Sequence, residues 1–185
     1  MTLERYSGFE MRFFDLETTD LKAFMGRVLA GVIVDQFGEP QVFRLDETKR
    51  TSAIDDTELC LAIRNSLEEA DILIGWNSKL FDIPFLNARL MQAGEKPMRK
   101  DIMHIDLMYY AKGQFMRIGS AKLDNVQKFF GTETGKTVID WDTWALAATG
   151  DPKALDEVVQ HCQNDVYALA EVFDELKPNV RLVHR

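Results

Sequence analysis

An α/β fold, with a mixed sheet flanked by helices, is predicted by two features of this 185-residue chain. Residues 10–45 hold three apolar, strand-like runs joined by short connections, the pattern of an antiparallel three-strand unit. Beyond them, short apolar runs alternate with segments of helical period, as parallel strands joined by helices do. One domain over residues 1–185 is the simplest organisation at this length, with chain enough for a sizeable core. No repeat, low-complexity tract or linker divides the chain.

The elements follow in order. Glu10 to Leu16 reads as a buried strand through Phe13, Phe14 and Leu16. Val28 to Phe37 is the second strand, with an unbroken apolar run from Val28 to Val34. Gly38-Glu39-Pro40 signals a turn, and Gln41 to Leu45 alternates as the third strand. Asp55 to Ala70 has helical period, with Leu59, Ile63, Ser66, Leu67 and Ala70 on its inner face and Asp55-Asp56 near its positive N-terminal end. Ile72 to Trp76 is wholly apolar, as a buried parallel strand is. Phe81 to Ala93 is the next helix, with Pro84 in its first turn and Gly94 as its stop. Ile102 to Leu107 is a strand. Ser120 to Phe130 is a helix ended by Gly131, followed by a polar loop through Thr137. Trp141 to Ala148 and Ala154 to Leu176 are helices, and Pro178 leads into a basic tail through Arg185. Trp76, Trp141 and Trp144 are expected in the core.

Composition narrows the function. The net charge of −8 disfavours a protein that coats duplex nucleic acid, which needs a basic surface, but allows a small pocket that holds a chain end through bound cations. No apolar stretch reaches the length of a membrane helix, and Met1 to Glu10 lacks a signal-peptide core. Cys60 and Cys162 lie in no zinc-like spacing and are expected to pack as small apolar residues in a reduced, cytoplasmic setting.

Three stretches carry candidate chemistry. In Phe13-Phe14-Asp15-Leu16-Glu17-Thr18 the two acids interrupt a buried strand. Strand side chains alternate, so Asp15 and Glu17 point the same way, about 6.5 Å apart along the backbone. Carboxylates that close can share or flank divalent ions, and burying them without a cation favours protonation instead. Asp82, in Asn77-Ser78-Lys79-Leu80-Phe81-Asp82, lies between a strand end and a helix start. Read alone, it is equally a helix-capping aspartate, Asn77 a turn residue and Phe81 a core residue. His161 and Asp165 are four apart on the last helix and share a face, a pattern also met in solvated pairs.

Together these stretches resemble the three motifs of the DnaQ-like (DEDD) 3′–5′ exonucleases. Asp-x-Glu-Thr matches Asp15, Glu17 and Thr18. Asparagine followed by Phe-Asp matches Asn77, Phe81 and Asp82, and the aspartate of a late helix matches Asp165. His104-Ile105-Asp106-Leu107 and Leu123-Asp124-Asn125-Val126 further resemble the proofreading domains of family B DNA polymerases and their stand-alone relatives. The element order is similar to the ribonuclease-H-like arrangement, in which the first strand is central. One departure stands out. The tyrosine branch has its tyrosine four residues before the last aspartate and the histidine branch has its histidine five before, whereas this chain has His161 at the tyrosine spacing.

The resemblance implies that Asp15, Glu17, Asp82 and Asp165 hold two divalent ions, Mg²⁺ or Mn²⁺ given oxygen-only ligands. It implies hydrolysis of single-stranded DNA from its 3′ end to nucleoside 5′-monophosphates, with Thr18, Asn77 and Phe81 touching the strand and His161 orienting or deprotonating the water. Asp106 and Asp124 are expected to be structural. A proofreading role would require a separate replication or repair partner. The same chemistry on RNA, a ribonuclease-H-like endonuclease, and a silent binding or docking module on this fold are the alternatives. The intact acids and the acidic composition weigh against the silent module.

Overall fold

The computed structural model describes residues 8–114, 116–132, 134–135 and 137–180. The expected basic tail lies outside them. Five strands form one sheet in the order β3-β2-β1-β4-β5, with β1 (Met11–Thr18) at its centre. β2 (Val28–Asp35) pairs antiparallel with β1 on one side and with β3 (Pro40–Arg44) on the other. β4 (Ile72–Gly75) runs parallel to β1, and β5 (Met103–Asp106) parallel to β4. The mixed sheet, the three-strand antiparallel unit and the central first strand all agree with the expectation.

Helices α1 (Thr57–Leu67) and α2 (Asp82–Gln92) cover one face. There Phe14, Leu16 and Ile33 meet Leu59, Ile63, Leu67, Phe85 and Leu86. The long α5 (Pro152–Leu176) and α3 (Leu123–Phe130) cover the other, where Phe13, Val32 and Val34 meet Cys162, Val166, Leu169 and Phe173. The alternation of β1 therefore sends its odd residues towards α5 and its even residues towards α1 and α2. Both faces being covered, β2 is apolar from Val28 to Val34.

Two helix ends follow the sequence signals, whereas α5 starts at Pro152, two residues before the expected Ala154. Asp151 caps α5 by accepting from the Ala154 amide at 2.9 Å, with Pro152 at the first helical position. Gly94 follows α2 at φ 80° and Gly131 follows α3 at φ 70°, where a side chain would be strained. Some expectations are corrected. α1 stops at Leu67, since residues 68–70 turn out of the helix to feed β4. α3 starts at Leu123, not Ser120, because the Ser120 hydroxyl accepts from the Lys122 amide and the Asn125 side chain ahead of it. A π-helical turn at Tyr110–Gln114 was not expected. Helix α4 (Trp141–Thr149) presents only one narrow side to the core, so Trp141 is 82% exposed and not a core residue, while Trp76 and Trp144 are half-buried.

Asp56 is the main polar tie inside this frame. It is 2% exposed, and its carboxylate accepts from the Val28 amide at 2.8 Å and from Arg89 Nη2 at 2.8 Å. Arg89 also donates to the Ile54 carbonyl at 3.1 Å. The start of β2, the start of α1 and the last turns of α2 are thus fastened to one ion pair. Removing one partner of such a pair leaves the other charge buried alone. Asp56→Ala is expected to lower the unfolding free energy by about 3–5 kcal/mol, read as a drop in the urea midpoint at unchanged slope. A loss below about 1 kcal/mol, the worth of an exposed pair, would count against this role.

Candidate active site

The acidic residues meet at the end of β1. The β1–β2 register shifts between Glu17 and Thr18, and such a bulge twists the strand end and re-aims its side chains. Asp15 and Glu17 face α5, as their spacing predicts. Donor atoms of Asp15, Glu17 and Cys162 all lie within 4.8 Å of one another. From the opposite layer Asp82, 3% exposed, reaches β1 and accepts from the Leu16 amide at 3.1 Å. Its carboxylate therefore does not cap α2, whose N-cap position is Phe81. From α5, His161 Nε2 stands 3.8 Å from Glu17 Oε1 and 3.9 Å from Asp165 Oδ2.

Electrostatics shows how closely the acids are grouped. Burial pushes the Asp15 carboxyl well above the usual range, and the charges of Asp82, Glu17 and Asp165 push it further. Burial, then Asp165 and Asp82, raises Glu17 to about 8. Burial raises Asp82 to about 7 against its backbone hydrogen bonds. Asp82, Glu17 and Asp165 thus act on Asp15, and Asp165 and Asp82 on Glu17, so the set is pushed towards protonation when no cation is bound. The donor set is oxygen-rich and suits a hard divalent cation. Burial, with Asp15 and Glu17 beside it, raises the Cys162 thiol well above its ordinary value, so it remains S–H. It donates to the Asp15 carbonyl at 3.3 Å and approaches Asp15 Oδ2 at 3.7 Å. Cys162 is therefore a partner of Asp15 and more than a packing residue, a role hidden in the sequence because any small apolar residue fits that helix position.

The remaining candidates are placed as follows. Thr18 is half-buried and donates from its hydroxyl to the Asp20 carbonyl at 2.9 Å. Asn77 has φ 60°, in a tight turn whose amides at Leu80 and Phe81 donate to its carbonyl at 3.0 Å. Asp106, 2% exposed, holds that turn by accepting from the Asn77 amide at 2.9 Å and the Lys79 amide at 3.0 Å. It is structural, as expected. Phe81 is half-buried with its ring 5.6 Å from Phe85. The Ser78 hydroxyl and His104 Nε2 form a 2.8 Å hydrogen bond beneath the turn, where burial, then Lys79, lowers His104 to about 4. Asp124 pairs with Lys128 at the surface, apart from the acids. Sequence reading missed Thr137, whose hydroxyl forms a 2.8 Å hydrogen bond with His161 Nδ1 and so fixes the ring.

A family model described as RNase_H superfamily matches residues 12–177. The chain belongs to the RNase_H superfamily. The fold is similar to that of the family B DNA polymerase from the hyperthermophilic archaeon Pyrobaculum calidifontis, with 20% identity and a TM-score of 0.72 over 92% of this chain. The chain spans 25% of that polymerase's length, and at this identity the likeness is one of fold. No curated protein matches the sequence. Membership of the RNase_H superfamily supports a nuclease acting on nucleic acid, in a group that generally uses divalent metal ions. No helix among the described residues is long and apolar enough to cross a membrane.

Raised carboxyl pKa values set the pH dependence of the metal-free protein. With Glu17 near 8 and Asp82 near 7, the folded state binds more protons than the unfolded chain, whose carboxyls titrate near 4. The stabilisation is present at low pH and is lost as pH rises through the folded values. In EDTA the unfolding free energy should therefore fall between pH 5 and 8, by up to about 1.4 kcal/mol per pH unit for each extra proton bound. Asp82→Asn should flatten that fall, and Mg²⁺ should reverse it at pH 8. Urea unfolding across this range checks both, and a stability that rises with pH would contradict the grouping.

Proposed function

We propose that this protein is a metal-dependent 3′–5′ exonuclease of the DnaQ-like kind, acting as one domain on single-stranded DNA ends. The observation that carries the reading is the convergence of Asp15, Glu17, Asp82 and Asp165, from three separate elements, on one end of the central strand. These are the acids that would hold two Mg²⁺ or Mn²⁺ ions, and their raised pKa values fit a site whose charge such ions balance. Bound there, the ions supply charge stabilisation to the attacking water and to the leaving 3′ oxygen.

The chain's own groups do the rest. Thr18 and the backbone beside it border the terminal nucleotide. Asn77 and Phe81 sit on a turn held rigid by Asp106, which suits them to position the strand next to Asp82. His161 orients the water or takes its proton. The Thr137 hydroxyl occupies Nδ1, which leaves Nε2 facing Glu17 and Asp165. An imidazole can accept the proton as well as orient the water, whereas a phenol at this spacing is suited only to orienting it.

On 5′-labelled single strands in Mg²⁺ we expect a ladder shortened from the 3′ end that EDTA abolishes, with DNA cut faster than RNA. Asp15→Ala and Asp82→Ala should each remove nearly all turnover, since losing one ligand removes several kcal/mol of transition-state stabilisation. Random internal cuts would indicate an endonuclease instead, faster cleavage of RNA an exoribonuclease, and undiminished turnover in either variant would remove the site assignment.

His161→Ala should slow turnover by roughly 10²–10⁴-fold if the ring transfers the proton, with metal affinity little changed. His161→Tyr separates the two roles. Recovery of most activity would assign orientation, whereas a slow variant that lacks the acidic limb of the pH–rate profile would assign proton transfer. Unchanged turnover in His161→Ala across roughly pH 6 to 9, a window chosen to bracket perturbed histidines, would deny the residue a role.

A further inference from the structure

The sheet ends at β5, and among the described residues no strand pairs beyond it. A strand in a parallel pair turns its alternate main-chain groups to opposite sides. The Met103 and Leu107 amides donate to the Asp71 and Gly75 carbonyls at 3.1 and 3.0 Å, on the β4 side. The main chains of His104 and Asp106 therefore face outward. An open edge of this kind is a template for another extended segment.

Against that edge lies a cavity of about 510 Å³ between α2 and β5. Ile83 and Met91 line it from α2, and Leu73, Ile102 and His104 from the sheet side. The third wall is the segment 97–100, and it is preformed. The Met98 amide donates to Asn87 Oδ1 at 2.8 Å and the Arg99 amide to Glu68 Oε1 at 2.7 Å, while Arg64 Nη1 donates to the Lys96 carbonyl at 2.9 Å. Met91 is 63% exposed, so the apolar wall is open to solvent.

The charge here runs against that of the molecule. Arg99 and Lys100 stand at the cavity and no carboxylate lines it, in a chain of net charge −8. Arg99 meets Asp101 at 3.7 Å, an exposed pair of little strength that an incoming carboxylate can replace.

We propose that this edge docks an acidic, extended segment of a partner protein. The segment adds a strand to β5 and places one apolar side chain in the cavity. Residues two positions to either side share that face of the new strand, which brings acids there to Arg99 and Lys100. The inference stands apart from the nuclease reading. Each part of the surface argues for this occupant: the edge supplies main-chain hydrogen bonds, the cavity takes a side chain, and the cations select acidic flanks. A second copy of the chain fits poorly, since an isologous contact across this edge sets two basic rims against each other. Two cations are too few for a nucleic-acid backbone, whose affinity comes from many phosphate contacts.

The test uses fluorescein-labelled peptides Gly-Asp-Thr-Xaa-Thr-Asp-Gly with leucine, methionine, phenylalanine or alanine at the centre, and the same set with lysine for both aspartates. Binding to the protein is read in EDTA by fluorescence anisotropy. We expect an acidic peptide with a large apolar centre to bind with a Kd below about 1 mM, and added salt to weaken it. The alanine-centred and lysine peptides should bind about tenfold more weakly or worse. Met91→Asp should weaken the acidic peptide by a similar factor. Arg99→Glu combined with Lys100→Glu should reverse the preference in favour of the lysine set, which a misfolded variant cannot do. Hydrogen exchange should slow at the His104 and Asp106 amides only when the peptide is bound.

Failure of every acidic peptide to bind below about 1 mM, equal affinity for acidic and lysine peptides, or binding that leaves those two amides unprotected would overturn the proposal. So would octathymidylate binding that the double charge reversal abolishes while acidic peptides bind as before, since the edge would then hold nucleic acid. A dimer in sedimentation that Met91→Asp dissolves with no effect on peptide binding would overturn it as well, in favour of a second copy of the chain.

Discussion

The gathering of carboxylates at a largely buried strand end, where burial and then their mutual repulsion disfavour charge, is the constraint on which this structure turns. β1 is central in the sheet and covered on both faces, so an acid on it meets little water. Asp15 and Glu17 are nevertheless there, and Asp82 and Asp165 close on them from α2 and α5. Arg12, Arg44 and Arg89 are engaged elsewhere, Arg12 with Glu69, Arg44 with Asp46 and Asp156, and Arg89 with Asp56. The cluster is therefore held together by the packing of its elements and not by its own interactions. Hydrophobic contact of α5 with β1 and β2 through Val166, Leu169 and Phe173, and of α2 with β1 through Phe85 and Leu86, forces the acids into proximity. Proteins keep such unfavourable groupings where a ligand relieves them.

Much of this was legible in the sequence because it depends on period. The alternation of Phe13 to Glu17 fixed which side chains share a face of β1, and the unbroken apolar runs at Val28 and Ile72 marked strands covered on both sides. The i, i+4 spacing put His161 and Asp165 together, and the ion-pair distances bear this out. What stayed hidden depends on tertiary partners. Nothing around Asp56 distinguishes a buried carboxylate from an ordinary acid at a helix start, since its partners come from Val28 and Arg89. Thr137 lies in a polar loop with no period to read. Trp141 was misread because aromatic residues are most often buried, whereas α4 has only a narrow buried side.

Helix α5 ties stability to the site. Within one turn, His161 faces Glu17, Cys162 donates its thiol to Asp15, and Asp165 adds its charge, while Val158 and Val166 on the same helix are wholly buried. A helix anchored by so many apolar contacts tolerates polar groups poorly unless each is paired. The thiol meets that condition with a weak donor small enough to fit, and it steadies Asp15 without adding charge. A serine there would donate more strongly but would bring a more polar group among apolar neighbours. A carboxylate there would add a fifth acid to a cluster whose existing members are already pushed towards protonation.

The surrounding surface follows the same logic. The chain's overall negative charge repels the backbone of any nucleic acid that approaches it. On the proposed reading, divalent cations at the carboxylates would reverse the sign of the local field there and make phosphate contact depend on the ions. Exposed apolar side chains border the acids as well: Leu21 on the loop after β1 and Trp141 at the start of α4. The net charge of −8 weighs against any function that coats a duplex, which calls for a basic surface.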